Sequence, residues 1–191
     1  SLRVATGVLP ATSYLDGQKK LHSINELFMR ATKYSMIVYF SVGLPIFIYA
    51  YPLLANWFGV EFTATGALVL NVLLFHQWFN INHGVGIYIL KGMGKVKELL
   101  IYSWVCAIIN FMLSFMLIQK YRLVGVAIGT TAPFVIFEIY IIKNLFKHLQ
   151  LDWQQYFGQV FYPIYLPVFF TVLFYVLFLN VQAFNLISTL M

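Results

Sequence analysis

Charge is what this chain has least of. Only 9% of its 191 residues are Asp, Glu, Lys or Arg, against about 25% in an ordinary soluble domain. A surface that poor in charge excludes a free-standing globular protein in water. Cysteine is nearly absent too. Cys106 has no possible partner within the chain, which excludes an intrachain disulfide and says nothing about redox compartment. No nucleophile stands beside a base and no Cys/His spacing suits zinc, so nothing in these residues calls for a metal, a cofactor or enzyme chemistry. No basic n-region leads into a short apolar run and a cleavage site, so the first residues do not read as a signal peptide.

What the chain does have is apolar. It is 61% hydrophobic and 19% aromatic, with a mean hydropathy of +0.82. A bilayer-spanning helix needs about 20 mainly apolar residues, because hydrocarbon offers no hydrogen-bonding partner to the backbone. Five stretches meet that need: Met36–Ala55, Thr65–Leu90, Leu99–Gln119, Leu123–Ile142 and Phe161–Asn180. Ser1–Tyr14 reads as the exit half of a further helix and Val181–Met191 as the opening of another. With Ser1 standing where an initiator methionine would, the expectation is a piece of a longer, transporter-sized protein. The expected architecture is an all-α, polytopic transmembrane helix bundle over residues 1–180, with 181–191 starting a truncated final span.

The loops alternate in charge. Loops 14–35, 91–98 and 143–160 carry Lys19, Lys20, Arg30, Lys33, Lys91, Lys95, Lys97, Lys143 and Lys147, whereas the loops on the opposite side carry only Lys120 and Arg122. That bias places the first set in the cytoplasm. It also accounts for most of the net charge of +6 without a nucleic-acid partner. Trp57, Trp104 and Trp153 fall near predicted interfaces, where an aromatic ring with one polar atom is at ease. Residues 16–34 keep Leu21, Ile24, Leu27, Phe28, Ala31 and Tyr34 on one helical face and cations elsewhere. This predicts an amphipathic interfacial helix, capped by Asp16 and attracted to anionic membrane lipids.

Arg3 is the sharpest candidate for chemistry. It precedes the cytoplasmic exit at Tyr14–Asp16 by 11–13 residues, or roughly 16–20 Å, near the bilayer midplane. A guanidinium there costs at least about 2.5–3.5 kcal/mol unless it meets water or a carboxylate. One reading is a cationic lumen site for an anionic group such as a diphosphate, gripped bidentately. The others are a structural ion pair, or a helix start outside the membrane. Gly7 and Pro10 predict a bend in the same helix.

Glu138 is the acidic residue within a complete span. Five residues from Lys143, it is expected roughly 7–8 Å from the cytoplasmic end. That depth differs from Arg3 by about 10 Å, which argues against a direct pair. It either joins a proton or cation relay or reaches the interface. His76, Asn80 and His83 share one face of the second complete span. No third ligand accompanies them on that helix, so interhelical hydrogen bonding is preferred to a metal, with ion coupling kept open because histidine titrates near neutral pH.

Gly92 and Gly94 fail the phosphate-loop pattern, with Ile89 and Val96 at required positions, and read as a helix stop. Gly125 and Gly129 form a GxxxG suited to close helix packing. Pro45, Pro133, Pro163 and Pro167 are expected to kink their spans.

The order of these features resembles a known family. A helix ending in Pro10-Ala-Thr-Ser13 leads to the basic segment Asp16–Lys33. Then come Gly43-Leu-Pro45, Asn56-Trp-Phe-Gly59, Leu90-Lys-Gly-Met-Gly-Lys95, Asn110-Phe-Met-Leu113 and Leu123-Val-Gly-Val-Ala-Ile-Gly-Thr130. The series is similar to the carboxy-terminal lobe of the polysaccharide and lipid-linked oligosaccharide flippases of the multidrug/oligosaccharidyl-lipid/polysaccharide exporter superfamily, over roughly residues 1–180. The resemblance implies a MATE-like two-lobed transporter of about a dozen to fourteen spans in a bacterial cytoplasmic membrane, this chain being its carboxy-terminal half. It implies a missing amino-terminal lobe as partner, an undecaprenyl-diphosphate-linked glycan as substrate, alternating access as the cycle, and Arg3 in a cationic lumen. A multidrug/cation antiporter of the same superfamily would place acidic residues in the lumen instead. A polysaccharide-assembly enzyme would carry a large non-cytoplasmic loop, and a purely structural subunit would make Arg3 replaceable.

Overall fold

The computed structural model describes residues 2–175, apart from the side chains of residues 2–6, Asn82 and His83. All regular elements among these residues are helical: α1 (Leu2–Gly17), α2 (Leu21–Ile48), α3 (Ala50–Phe58), α4 (Val60–Gly92), α5 (Val96–Leu149) and α6 (Trp153–Tyr175). Four of them, α2, α4, α5 and α6, are long and apolar enough to cross a bilayer. The chain falls into two compact units, Ser1–Asp152 and Trp153–Met191, each described by itself. The expected final span 181–191 lies outside the described residues.

The amphipathic segment 16–34 falls on the end of α1, a short turn and the start of α2, which continues unbroken into the apolar run after Met36. Asp16 does not cap α2. It sits in the last turn of α1, where its carbonyl accepts the Lys19 N–H (2.8 Å) while the Lys20 N–H reaches back to Leu15 (3.0 Å). That pair of bonds closes a helix C-terminus, with Lys19 in the left-handed region (φ 56°). Gly94 closes α4 the same way at φ 74°, with Gly94 N–H to Lys91 O and Lys95 N–H to Leu90 O.

The stretch read as one span over Met36–Ala55 breaks at Tyr49, which separates α2 from α3. Pro52 explains the position. It has no N–H to give to the Ile48 carbonyl four residues back, and its ring crowds that carbonyl, so α2 ends at Ile48. Pro45, by contrast, is absorbed inside α2. In the second unit, α6 widens to a π-helical stretch over Phe157–Phe161, immediately before Pro163, with Tyr162 N–H bonding Phe157 O.

α5 cannot be straight. Its 54 residues would extend about 81 Å, far beyond the ~30 Å hydrocarbon core. It doubles back at Arg122 (φ 51°, ψ −130°), between the two segments read as separate spans. The halves then pack antiparallel along their length. Gly125 lies against Leu117, Gly129 against Ser114, Phe137 against Tyr102 and Asn144 against Glu98. The Gly125–Leu117, Gly129–Ser114 and Asn144–Glu98 pairs are centred on Tyr121–Arg122, and Phe137–Tyr102 within two residues of it. The GxxxG therefore packs as its spacing predicts, and its partner is the preceding half of the same helical hairpin.

Arg122 has the dihedrals of the first central residue of a type II′ turn, a position that glycine alone takes without strain. Arg122→Gly is expected to raise stability by about 1–3 kcal/mol, read as a higher midpoint in detergent thermal unfolding. An unchanged or lower midpoint would mean that the turn is not strained.

α4 is the helix around which the first unit is built. Gly92 packs on Thr12 and the Leu9 carbonyl of α1, and Ser13 Oγ donates to Gly92 O (3.1 Å). Tyr39 of α2 donates to Leu74 O at 2.6 Å, and Gly86 takes Leu145 of α5 against its backbone. α2 and α5 join separately, through Asn25 Nδ2 to Leu149 O (2.9 Å) and an edge-on Phe28–Phe146 contact at 6.5 Å.

Candidate functional site

The candidate polar residues come from α1, α4 and the second half of α5, and contacts between these helices give their depths. Arg3 lies in the first turn of α1, and its side chain is outside the described residues. Ten residues on, Ser13 is bonded to Gly92, where α4 ends. Asn82 lies the same ten residues, about 15 Å, back along α4. This register sets the Arg3 backbone level with Asn82 and His83, and the side chain of His83 is likewise outside the described residues.

His76 and Asn80 occupy one face of α4, a turn apart and both half-buried. The His76 ring stands edge-on to Phe134 of α5, centroids 4.5 Å apart at 89°. Glu138 follows Phe134 by one turn on the same face and is 4% exposed. Between the His76–Phe134 and Gly86–Leu145 contacts, Glu138 comes level with Asn80.

That level corrects the offset expected between Glu138 and Arg3. The expectation ended the span near Lys143, but α5 stays helical to Leu149, putting Glu138 about 16 Å from its end. A lysine does not stop a helix; it marks where the side chain can reach water. The backbones of Arg3, Asn80 and Glu138 thus lie within about 3 Å of one level along the helices, with His76 about 6 Å from Asn80 toward the start of α4, and the 10 Å offset that separated Arg3 from Glu138 no longer holds.

Sequence reasoning missed Tyr102. It lies across the α5 hairpin beside Glu138, in a buried cluster with Cys106 and Ile141, and its ring meets Phe137 at 5.9 Å. The signal was available once the turn is placed at Arg122, since Tyr102 and Glu138 stand at similar distances from it. Asn71 was also passed over. Its Oδ1 is buried with no hydrogen-bond partner among the described residues, extending the polar side chains of α4 toward the helix start. At the other end of the hairpin, Glu98 accepts from Asn144, and His148 Nε2 lies 3.3 Å from the same carboxylate.

Among the described side chains, half-buried His76 and Asn80 of α4 and buried Glu138 of α5 lie along the face where these two apolar helices meet. The family model MatE matches residues 1–116. The chain belongs to the MatE family. MatE proteins are transporters, and this chain is a multi-pass membrane protein of that family. The MatE match runs from α1 into the first half of α5, so it takes in Arg3, His76, Asn80 and His83, while Glu138 lies beyond it. Comparison with curated proteins found no match, and comparison with solved structures found none.

Proposed function

We propose that this MatE chain is the carboxy-terminal lobe of a flippase that moves an undecaprenyl-diphosphate-linked oligosaccharide or polysaccharide precursor across a bacterial cytoplasmic membrane. What supports the reading is the level of the Arg3 backbone on α1, ten residues before the Ser13–Gly92 bond and so beside the polar residues of α4. A diphosphate and a sugar headgroup lose their hydration on entering the membrane. A cationic fork and amide or imidazole groups replace it with hydrogen bonds. The prenyl tail stays in the hydrocarbon while the two lobes alternate. In this reading Arg3 contacts the diphosphate, and His76, Asn80 and His83 line the lumen. Glu138 takes part in ion coupling, and the amino-terminal lobe supplies the facing wall.

A multidrug/cation antiporter is the second reading, favoured by Glu138, the acidic residue inside a span. Against it, Glu138 is enclosed beside Tyr102 at 4% exposure, where a bulky organic cation has no room. The two are separated by reconstituting the full-length protein in vesicles. Translocation of a diphosphate-linked lipid oligosaccharide without uptake of a cationic dye is expected. Dye uptake without oligosaccharide translocation would establish the antiporter instead.

A further inference from the structure

A cleft of about 310 Å³ runs between the start of α4 and the second half of α5. Phe62, Thr65, Val69 and Leu73 line it on one helix, Leu123 and Val126 on the other. These positions fall three or four residues apart, so each helix gives the cleft a single face. The hydroxyl of Thr130, also in the wall, is turned onto the Val126 carbonyl at 2.9 Å. The surface left is almost wholly hydrocarbon.

From Phe62 to Leu73 the cleft is about 16 Å long, and its apolar walls along that length suit an extended hydrocarbon chain. At the other end of the two helices the Leu145 side chain lies directly on the Gly86 backbone, and the cleft opens away from that contact.

Charge gathers at its mouth. The side of the molecule poor in cations carries only Lys120 and Arg122, both exposed and both in the turn that leads directly to Leu123. Lys120 Nζ also sits 5.5 Å from the Tyr121 ring. Glu61, exposed in the first turn of α4, is the one acidic residue at that end of α4, so the mouth keeps a net positive charge.

We propose that this cleft is a binding site for an anionic bilayer phospholipid, with one acyl chain between α4 and α5 and the phosphate held by Lys120 and Arg122. The lipid comes from the leaflet opposite the lysine-rich face, and the site does not depend on which cargo is carried. A resident chain completes the wall where the two helices part, and the cations select the headgroup.

The test is lipid retention by the purified full-length protein after exposure to vesicles of phosphatidylglycerol and phosphatidylcholine, counted by native mass spectrometry. Wild type is expected to keep one phosphatidylglycerol per chain. Lys120→Gln combined with Arg122→Gln is expected to reduce the preference for phosphatidylglycerol over phosphatidylcholine by roughly thirty-fold. Val69→Phe, which fills the cleft, is expected to lose both lipids. Equal retention in wild type and Val69→Phe would overturn the proposal. A second measurement needs no substitution: phosphatidylglycerol with a photoreactive acyl chain is cross-linked to wild type and the adducts mapped. Adducts at residues 62–73 and 123–130 support the site. Adducts only elsewhere, or none because a protein segment fills the cleft, overturn it.

Discussion

Gly129→Leu is expected to unfold the α5 hairpin. A Cβ at residue 129 would stand 2.6 Å from Ser114 Oγ, 2.7 Å from its backbone nitrogen and 2.8 Å from its Cα. Two of these atoms are backbone, so no rotamer change relieves the clash and the two halves must separate. Separation also loosens the pairs further along, including Tyr102 beside Glu138. Overpacking of a tight interface costs about 1–3 kcal/mol and occasionally more; with two backbone atoms in the way, a loss of about 3 kcal/mol or greater is expected. Thermal unfolding in detergent reads it, with Gly7→Ala as the control. Nothing lies within 4 Å of a Cβ at Gly7, so the control should stay within about 0.5 kcal/mol of wild type. If the two variants melt alike, the halves of α5 are not packed as described.

Arg3→Ala is expected to stop export in the full-length protein while leaving expression and membrane insertion intact. A guanidinium gripping a diphosphate makes charge-assisted hydrogen bonds worth about 1.5–3 kcal/mol each. Losing even one weakens binding by roughly ten- to a hundred-fold. Arg3→Lys keeps the charge but not the planar fork and should recover only part of the activity. The measurement is delivery of the lipid-linked glycan in cells whose own copy has been removed. Normal delivery by Arg3→Ala would remove this residue from the site. Failure of Arg3→Ala to insert would instead assign it a structural ion pair.

The all-helical, multi-pass architecture was legible because hydrocarbon imposes one rule on every span, and the apolar runs obey it over enough residues to dominate local propensity. The GxxxG was legible as a close contact, though not as a contact within one folded-back helix. What closed the turn, a positive φ at an arginine, leaves no trace in composition. The break at Tyr49 was readable from Pro52, whose missing donor points to Ile48, but apolarity alone ran the span straight through it. Glu138 was set apart from Arg3 because each was counted from the end of its own span, and α5 runs on past Lys143 to Leu149. The level shared by Arg3, Asn80 and Glu138 depends on which helices touch, at Gly92, Gly86 and Phe134, and that is tertiary information a single sequence does not carry.

The symmetric pairing of α5 about its turn also sets an order of events. Leu117 and Gly125 are neighbours along the chain, Ser114 and Gly129 somewhat less so, and Glu98 meets Asn144 across 46 positions. Each pair formed shortens the loop that the next must close, and short loops cost little entropy. Such an element assembles as a zipper running from Arg122 outward, through contacts local enough to form quickly. The polar pair at the far end, Glu98 with Asn144, closes last, and its closure marks the point at which the hairpin has reached full length.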